Sequence, residues 1–381
     1  MTTIPLPLGG AAPATPAPRL KRDDAWLVSP FYDLTFIIFS AALILFPHIS
    51  HMLVRSNIVV DLIVTMLIGG PHLFATYTMT VMEPEFRARY PRYSRGALVL
   101  PLIIVTLAAV NLTLLVTIFF FWASVHVIHQ AAFVADAYRF KDPRGWTRWS
   151  RVIDYGLVFT SIYPIASGKL IRSEFVTGGR TLLFPEFLRV AFLPTVLWVV
   201  FAGFAAAFVL KTVHEIRDGR FHGPKTLHMV LASSLFFVTP TIENLDVAFQ
   251  GLNVWHSFQY LAVVLYLNQL RAQRGFIGSR VVEQVSRRGY RLYAMCLGFT
   301  LGAGVLFLGM LGLVTVLGAF ETGRTMNVIL FGTVFADQYY FAFYSVILSF
   351  LLIHYYFDHF LFLYTDRKIT PVFAAVRPRA G

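Results

Sequence analysis

Gly96–Tyr138 reads GALVLPLIIVTLAAVNLTLLVTIFFFWASVHVIHQAAFVADAY, an apolar run of 43 residues. At 1.5 Å per residue it is too long for one bilayer crossing, so a tight turn is expected near Asn111, with spans over 96–110 and 112–138. Its last part, Trp122–Arg139, is apolar enough for a membrane yet carries His126, His129, Gln130 and Asp136. At 100° per residue, positions 126, 129, 130, 133 and 136 share one helical face. A helix facing only lipid has no use for such a stripe. A helix lining a buried site does.

The rest of the chain has the same character. Of 381 residues, 57% are hydrophobic and 14% charged, against roughly 25% charged in soluble domains, and mean hydropathy is +0.65. Apolar runs recur, and an all-α polytopic transmembrane helix bundle is expected. Ten spans are read, over 30–54, 57–81, 96–110, 112–138, 151–171, 187–213, 225–244, 247–270, 291–319 and 334–364. Residues 1–25, rich in Pro, Ala and Thr, read as a disordered cytoplasmic tail. Residues 26–366 form one transmembrane domain, and 367–381 a basic cytoplasmic tail.

With the N-terminus inside, 26 of the 32 basic residues fall in cytoplasmic segments, which sets both ends inside a cell (inner) membrane crossed many times. The net charge of +12 then belongs to loops facing anionic lipid, and no nucleic-acid partner is implied. Two basic loops, Glu83–Arg95 and Arg271–Arg291, carry interleaved aromatics. They read as positive-inside loops with interfacial anchors, or as the docking face of a soluble electron donor. The lone cysteine, Cys296, leaves no disulfide, cysteine metal site or iron–sulfur cluster.

Counted from the cytoplasmic end of each span, His72 and His129 lie about 14 Å deep, His354 about 15 Å, His126 about 18 Å, His256 about 21 Å and His359 about 8 Å. Four helices thus bring histidine to the cytoplasmic half of the bilayer. Intramembrane polar groups are expensive and their default reading is functional. Imidazole suits iron, copper and zinc. The ligand candidates are therefore His72, His126, His129, His256, His354 and His359. Asp358, Tyr260 and Tyr355 are the catalytic candidates, the tyrosines as proton donors. Gln130, Asp136, Asn253 and Gln259 are read as groups that orient the imidazoles. Pro71, in Gly69-Gly70-Pro71-His72, is expected to kink its helix. His214, His222 and His228 are read as solvent-facing. The small-residue runs Ala202–Ala207 and Gly298–Gly318 are read chiefly as helix-packing faces, and otherwise as a lateral cleft for a lipid-soluble substrate.

Gly70-Pro71-His72 and Trp255-His256-Ser257 resemble motifs of the Brp/Blh family of membrane β-carotene dioxygenases. That resemblance implies histidines on separate helices holding one iron that cleaves a polyene with O2. Trp-His-x-x-Gln-Tyr (255–260) and His-Tyr-x-x-Asp (354–358) are similar to uncharacterised bacterial histidine-rich polytopic membrane proteins. The expected activity is a non-haem iron oxygenase, with one or two ions, acting on a lipid or isoprenoid with O2. A haem-binding electron-transfer protein, a copper site and a metal-ion or proton transporter are the alternatives.

Overall fold

The computed structural model of the chain describes residues 25–142, 144, 146–322 and 333–362, with side chains described to 318 and, in the last helix, from 338 to 358. The tails beyond these limits, and the readings made of them, lie outside the described residues. Helices make up the architecture: α1 (Pro30–Val54), α2 (Asn57–Thr78), α3 (Leu100–Lys141), α4 (Arg148–Thr160), α5 (Tyr163–Ile171), α6 (Leu193–Arg217), α7 (Gly223–Val238), α8 (Leu245–Gln273), α9 (Gly289–Thr322) and α10 (Thr333–Phe362). Two antiparallel two-residue strands, β1 (Val176–Thr177) and β2 (Arg180–Thr181), lie between α5 and α6.

Among the described residues, six helical segments are long and apolar enough to cross a membrane: Pro30–Val54, Asn57–Thr78, Pro91–Lys141, Leu193–Arg217, Gly289–Gly318 and Gln338–Asp358. Taken singly, α4, α5 and α7 are shorter than these segments, and α4 and α5 follow one another with only two residues between them. α8 has 29 residues but carries buried Gln250, His256, Ser257, Gln259 and Asn268. The expected turn near Asn111 is a kink. That residue alone leaves helical dihedrals (φ −154°, ψ 84°), and its side chain accepts from Leu114 N at 2.9 Å, restarting the helix as a cap does.

Local chemistry sets many of the helix ends. Ser56, Thr147 and Asn244 accept backbone N–H groups at the starts of α2, α4 and α8. Beyond α6, Gly219 takes φ 67°, the left-handed step that closes a helix.

α2 is the irregular element. Thr65–Gly69 is a π turn, directly before Pro71. Pro71 has no N–H for the carbonyl of Leu67, and the hydroxyl of Tyr293 on α9 donates to that carbonyl at 2.7 Å. Gly70 lets α9 come close: a Cβ there would lie 2.2 Å from Thr300. The π turn and Pro71 precede His72 and set the rotation at which it leaves the helix.

The small-residue runs pack helices in part: Ala303 is buried, and a Cβ at Gly304 or Gly318 would meet Met66 at 3.4 Å or Gln338 at 2.6 Å. A Cβ at Gly203, Gly298, Gly302, Gly309 or Gly312 would meet nothing within 4 Å. Within the first run, α6 packs through Phe204, against Gly156 of α4.

Candidate metal centre

Four helices deliver one histidine each to a common point: His72 from α2, His126 from α3, His256 from α8 and His354 from α10. Neighbouring ring centroids are 5.1 Å apart for His72 and His256, 5.0 Å for His256 and His126, 5.0 Å for His126 and His354, and 4.7 Å for His354 and His72. The four rings form a closed cycle, edge to face, and all are buried. Asp358, one turn after His354 and fully buried, reaches the same point. Its Oδ2 lies 3.4 Å from His354 Nε2 and 3.7 Å from His126 Nε2.

Two overlapping donor sets, His72–His256–His354 and His126–His354–Asp358, have ligand atoms within 4.8 Å of one another. Three ligands bound at about 2.1 Å to one ion lie roughly 3.0–3.6 Å apart, so side-chain shifts of up to about an ångström close either set on an ion. His354 belongs to both.

Hydrogen bonds fix which nitrogen faces this point. His72 Nδ1 contacts the carbonyl of Gly69 and lies 2.8 Å from Ser257 Oγ. His354 Nδ1 lies 2.5 Å from Thr76 Oγ1. The Tyr260 hydroxyl donates to Asp358 Oδ1 at 2.6 Å, and the Thr76 hydroxyl donates to the same oxygen at 3.0 Å. The Thr76 oxygen is thereby left to accept from His354 Nδ1. In both histidines the proton sits on Nδ1, and Nε2 carries an open lone pair. Neither Nε2 makes a hydrogen bond, nor does either ring nitrogen of His256, nor Asp358 Oδ2. Buried polar atoms are almost always satisfied, so this many unused acceptors in one place need an explanation.

Behind His72 runs a polar chain along α8. Ser257 donates to Asn253 Oδ1 at 3.1 Å, Asn253 donates to Gln250 Oε1 at 3.0 Å, and Gln250 donates to Asp61 Oδ1 at 2.8 Å. Asn253 therefore reaches the His72 imidazole through Ser257, one link removed.

The other expected residues divide. His129 packs against Phe159 of α4, with ring centroids 6.1 Å apart, and belongs to neither donor set. Asp136 does not serve the histidines. It takes Arg139 and Arg151, the latter at 2.8 Å, and the Tyr155 hydroxyl at 2.8 Å. Gln130 donates to the His256 carbonyl and to Gln259 Oε1, both at 3.1 Å, and Gln259 donates to the Ile37 carbonyl at 2.7 Å. These two amides clamp the backbones of α8 and α1 rather than an imidazole. Tyr355 stacks on His126, with centroids 4.0 Å apart and planes 27° apart. The side chain of His359 lies outside the described residues. His222 and His228 are buried, not solvent-facing; His228 Nε2 lies 3.0 Å from the Ala131 carbonyl.

The residues missed by sequence reading are Thr76, Ser257, Gln250 and Asp61. Only Thr76 had a signal, standing one turn after His72 on the same face.

Comparison with protein-family models, curated proteins and solved structures gives no match for this chain.

Proposed function

We propose that the chain is a multi-pass inner-membrane oxygenase, with ten crossings and both ends cytoplasmic, that holds non-haem iron at the histidine cluster and oxidises a lipid or isoprenoid with O2. One observation carries the reading: ring nitrogens of three helices and the Asp358 carboxylate converge with their lone pairs unused, because the opposite nitrogens of His72 and His354 are already engaged. His72, His126, His256 and His354 would hold the ion, with Asp358 beside them. Imidazole with one carboxylate suits iron, and a bound iron supplies O2 activation, which no side chain can.

The chain's own residues do the rest. Thr76 and Ser257 hold imidazole tautomers. Tyr260, hydrogen-bonded to Asp358, keeps a proton next to the centre. A hydrophobic substrate has a lateral approach: a cavity of about 440 Å³ opens between α1, α2, α8 and α9, lined by Phe36, Leu67, Ile68, Phe258, Leu265 and Tyr293. Leu67 and Ile68 stand one turn before His72. Haem fits poorly here. A porphyrin plane must lie between its two axial imidazoles, and rings 5 Å apart in a closed cycle leave no gap for it.

The test is metal analysis of the detergent-purified protein beside His256→Ala, His126→Ala and His129→Ala. Iron bound by the wild type and by His129→Ala, and absent from the first two, is the expected result. Unchanged metal in all three variants ends the metal reading, and a Soret band in the wild type ends the non-haem one. Membrane lipid extract incubated with ¹⁸O2 should yield a labelled product; bound iron with no labelled product from any lipid would sink the oxygenase assignment alone.

A further inference from the structure

At the other end of α3 from its kink lies a second cavity, of about 470 Å³, between the ends of α3, α4, α6 and α7. It is large enough for a small ligand. Its walls are of two kinds. Trp149, Ile153, Ala207 and Leu210 form an apolar mouth, with Trp149 75% and Leu210 71% exposed. α6, which supplies half of that mouth, buries Phe208 alone of its residues, so the mouth opens on the face the helix turns outward. The floor is charged: Arg139, Lys211, Lys225, Glu215 and His222 line it.

The cations on this floor are already matched. Arg139 bridges Asp136 and Asp154. Lys211 and Lys225 both take Asp154, the latter at 3.4 Å, and both lie near Glu215 Oε1, at 3.8 and 3.9 Å. A plain anion would find little surplus positive charge. Three atoms remain unsatisfied, and they are of both kinds; Arg139 Nε is a buried donor with no hydrogen-bond partner. His222 caps α7 by accepting from Lys225 N at 3.3 Å, so its Nε2 carries the proton, and that buried donor has no hydrogen-bond partner. Glu215 Oε2 is a buried acceptor with no hydrogen-bond partner. The backbone at the start of α7 offers little to a ligand: Pro224 has no N–H, and those of Lys225 and Thr226 already donate to His222. Burial holds the His222 imidazole down to about 4, against the pull of Asp142, so it is neutral at physiological pH.

We infer that this cavity binds the head group of a zwitterionic phospholipid with a primary ammonium, phosphoethanolamine in type. The phosphate accepts from His222 Nε2 and Arg139 Nε, and the ammonium donates to Glu215 Oε2. An ammonium bearing N–H is required, because a quaternary choline cannot donate to the open carboxylate oxygen. The acyl chains leave through the apolar mouth along α4 and α6. The site does not depend on the metal reading.

The test uses the full-length protein, stripped of lipid in detergent and exposed to mixed vesicles of phosphatidylethanolamine, phosphatidylcholine and phosphatidylglycerol, with retained lipid read by native mass spectrometry. The wild type should retain phosphatidylethanolamine over each of the other two by at least about tenfold, a margin well within reach of one charged hydrogen bond. Glu215→Gln should lose that preference. Ala207→Phe, which fills the mouth without touching a charge, should lose retention altogether. Equal retention of the three lipids by the wild type, or an unchanged preference in folded Glu215→Gln, overturns the site. Displacement of bound lipid by an equal concentration of glycerophosphoethanolamine overturns the lipid as its source, leaving a soluble zwitterion.

Discussion

One helix, α3, serves two buried polar regions built on opposite principles. Near its middle, His126 joins three other buried imidazoles, and those three leave ring nitrogens without a hydrogen bond. Near its end, Asp136 and Arg139 enter a network in which ion pairs are closed at almost every atom. A buried charge without a partner costs several kcal/mol, so charges inside a helix bundle are matched by the fold itself. A neutral imidazole costs far less to leave open, and an open lone pair is useful only to something added later. Full satisfaction marks structure; organised dissatisfaction marks a site.

The sharpest way to break this contrast is Asp154→Ala. It removes the carboxylate shared by Arg139, Lys211 and Lys225, leaving both lysines only Glu215 at 3.8 and 3.9 Å, and a loss of about 3–5 kcal/mol is expected, read as a large fall in the thermal unfolding midpoint. Whatever folds should still bind metal. A variant that keeps its midpoint but loses its metal would show the two regions to be one.

His354→Ala is expected to do the reverse. It removes the nitrogen shared by both donor sets, so metal content should fall to background while the midpoint changes less than in Asp154→Ala. Next in size is Thr76→Val, which keeps the shape and frees His354 Nδ1 to change tautomer. Metal affinity should drop about 10–100-fold by competition with a chelator, and Thr76→Ser should restore it. Equal affinity in Thr76→Val and wild type would mean that the tautomer is not held here.

The smallest effect concerns pH. His222 is held below its ordinary value of 6.5, at about 4, by burial. Between those values the unfolded chain takes up a proton that the folded chain refuses, so this group's contribution is complete above 6.5 and is lost as pH falls towards 4. The unfolding midpoint should decline over that window, and less steeply in His222→Asn. Identical slopes would remove His222 from the account.

The sequence carried the helical plan with some accuracy because bilayer-length apolar runs leave the backbone little choice but to hydrogen-bond within itself. It also named the four histidines of the cluster, since each sits in a polar patch of an otherwise apolar helix. It did not separate His126 from His129. The two lie 60° apart around α3, inside the width of one face, and that face is shared by two neighbours. His126 and Gln130 turn towards α8 and α10, while His129 and Asp136 turn towards α4. Helical periodicity gives the angle between residues, not which neighbour stands at that angle.

The same limit explains Asp136, Gln130 and Gln259. Each was recognisable as a buried polar group needing a partner, and each has one, but the partner comes from Arg151, the His256 carbonyl or the Ile37 carbonyl. Thr76 and Ser257 were the opposite case. A hydroxyl in an apolar helix often bonds back to its own backbone, as Thr80 does to the Thr76 carbonyl at 2.9 Å, and nothing local marks the ones that do not.

Composition and spacing alone thus determined an apolar helical chain with histidine held at one depth on four helices, because both follow from the cost of polar groups away from water. Tertiary structure alone decided which ring nitrogens point inward, which carboxylate joins them and which charges are closed off in pairs. Those outcomes depend on the rotation of each helix about its own axis, and that rotation is set by packing between elements far apart in the chain.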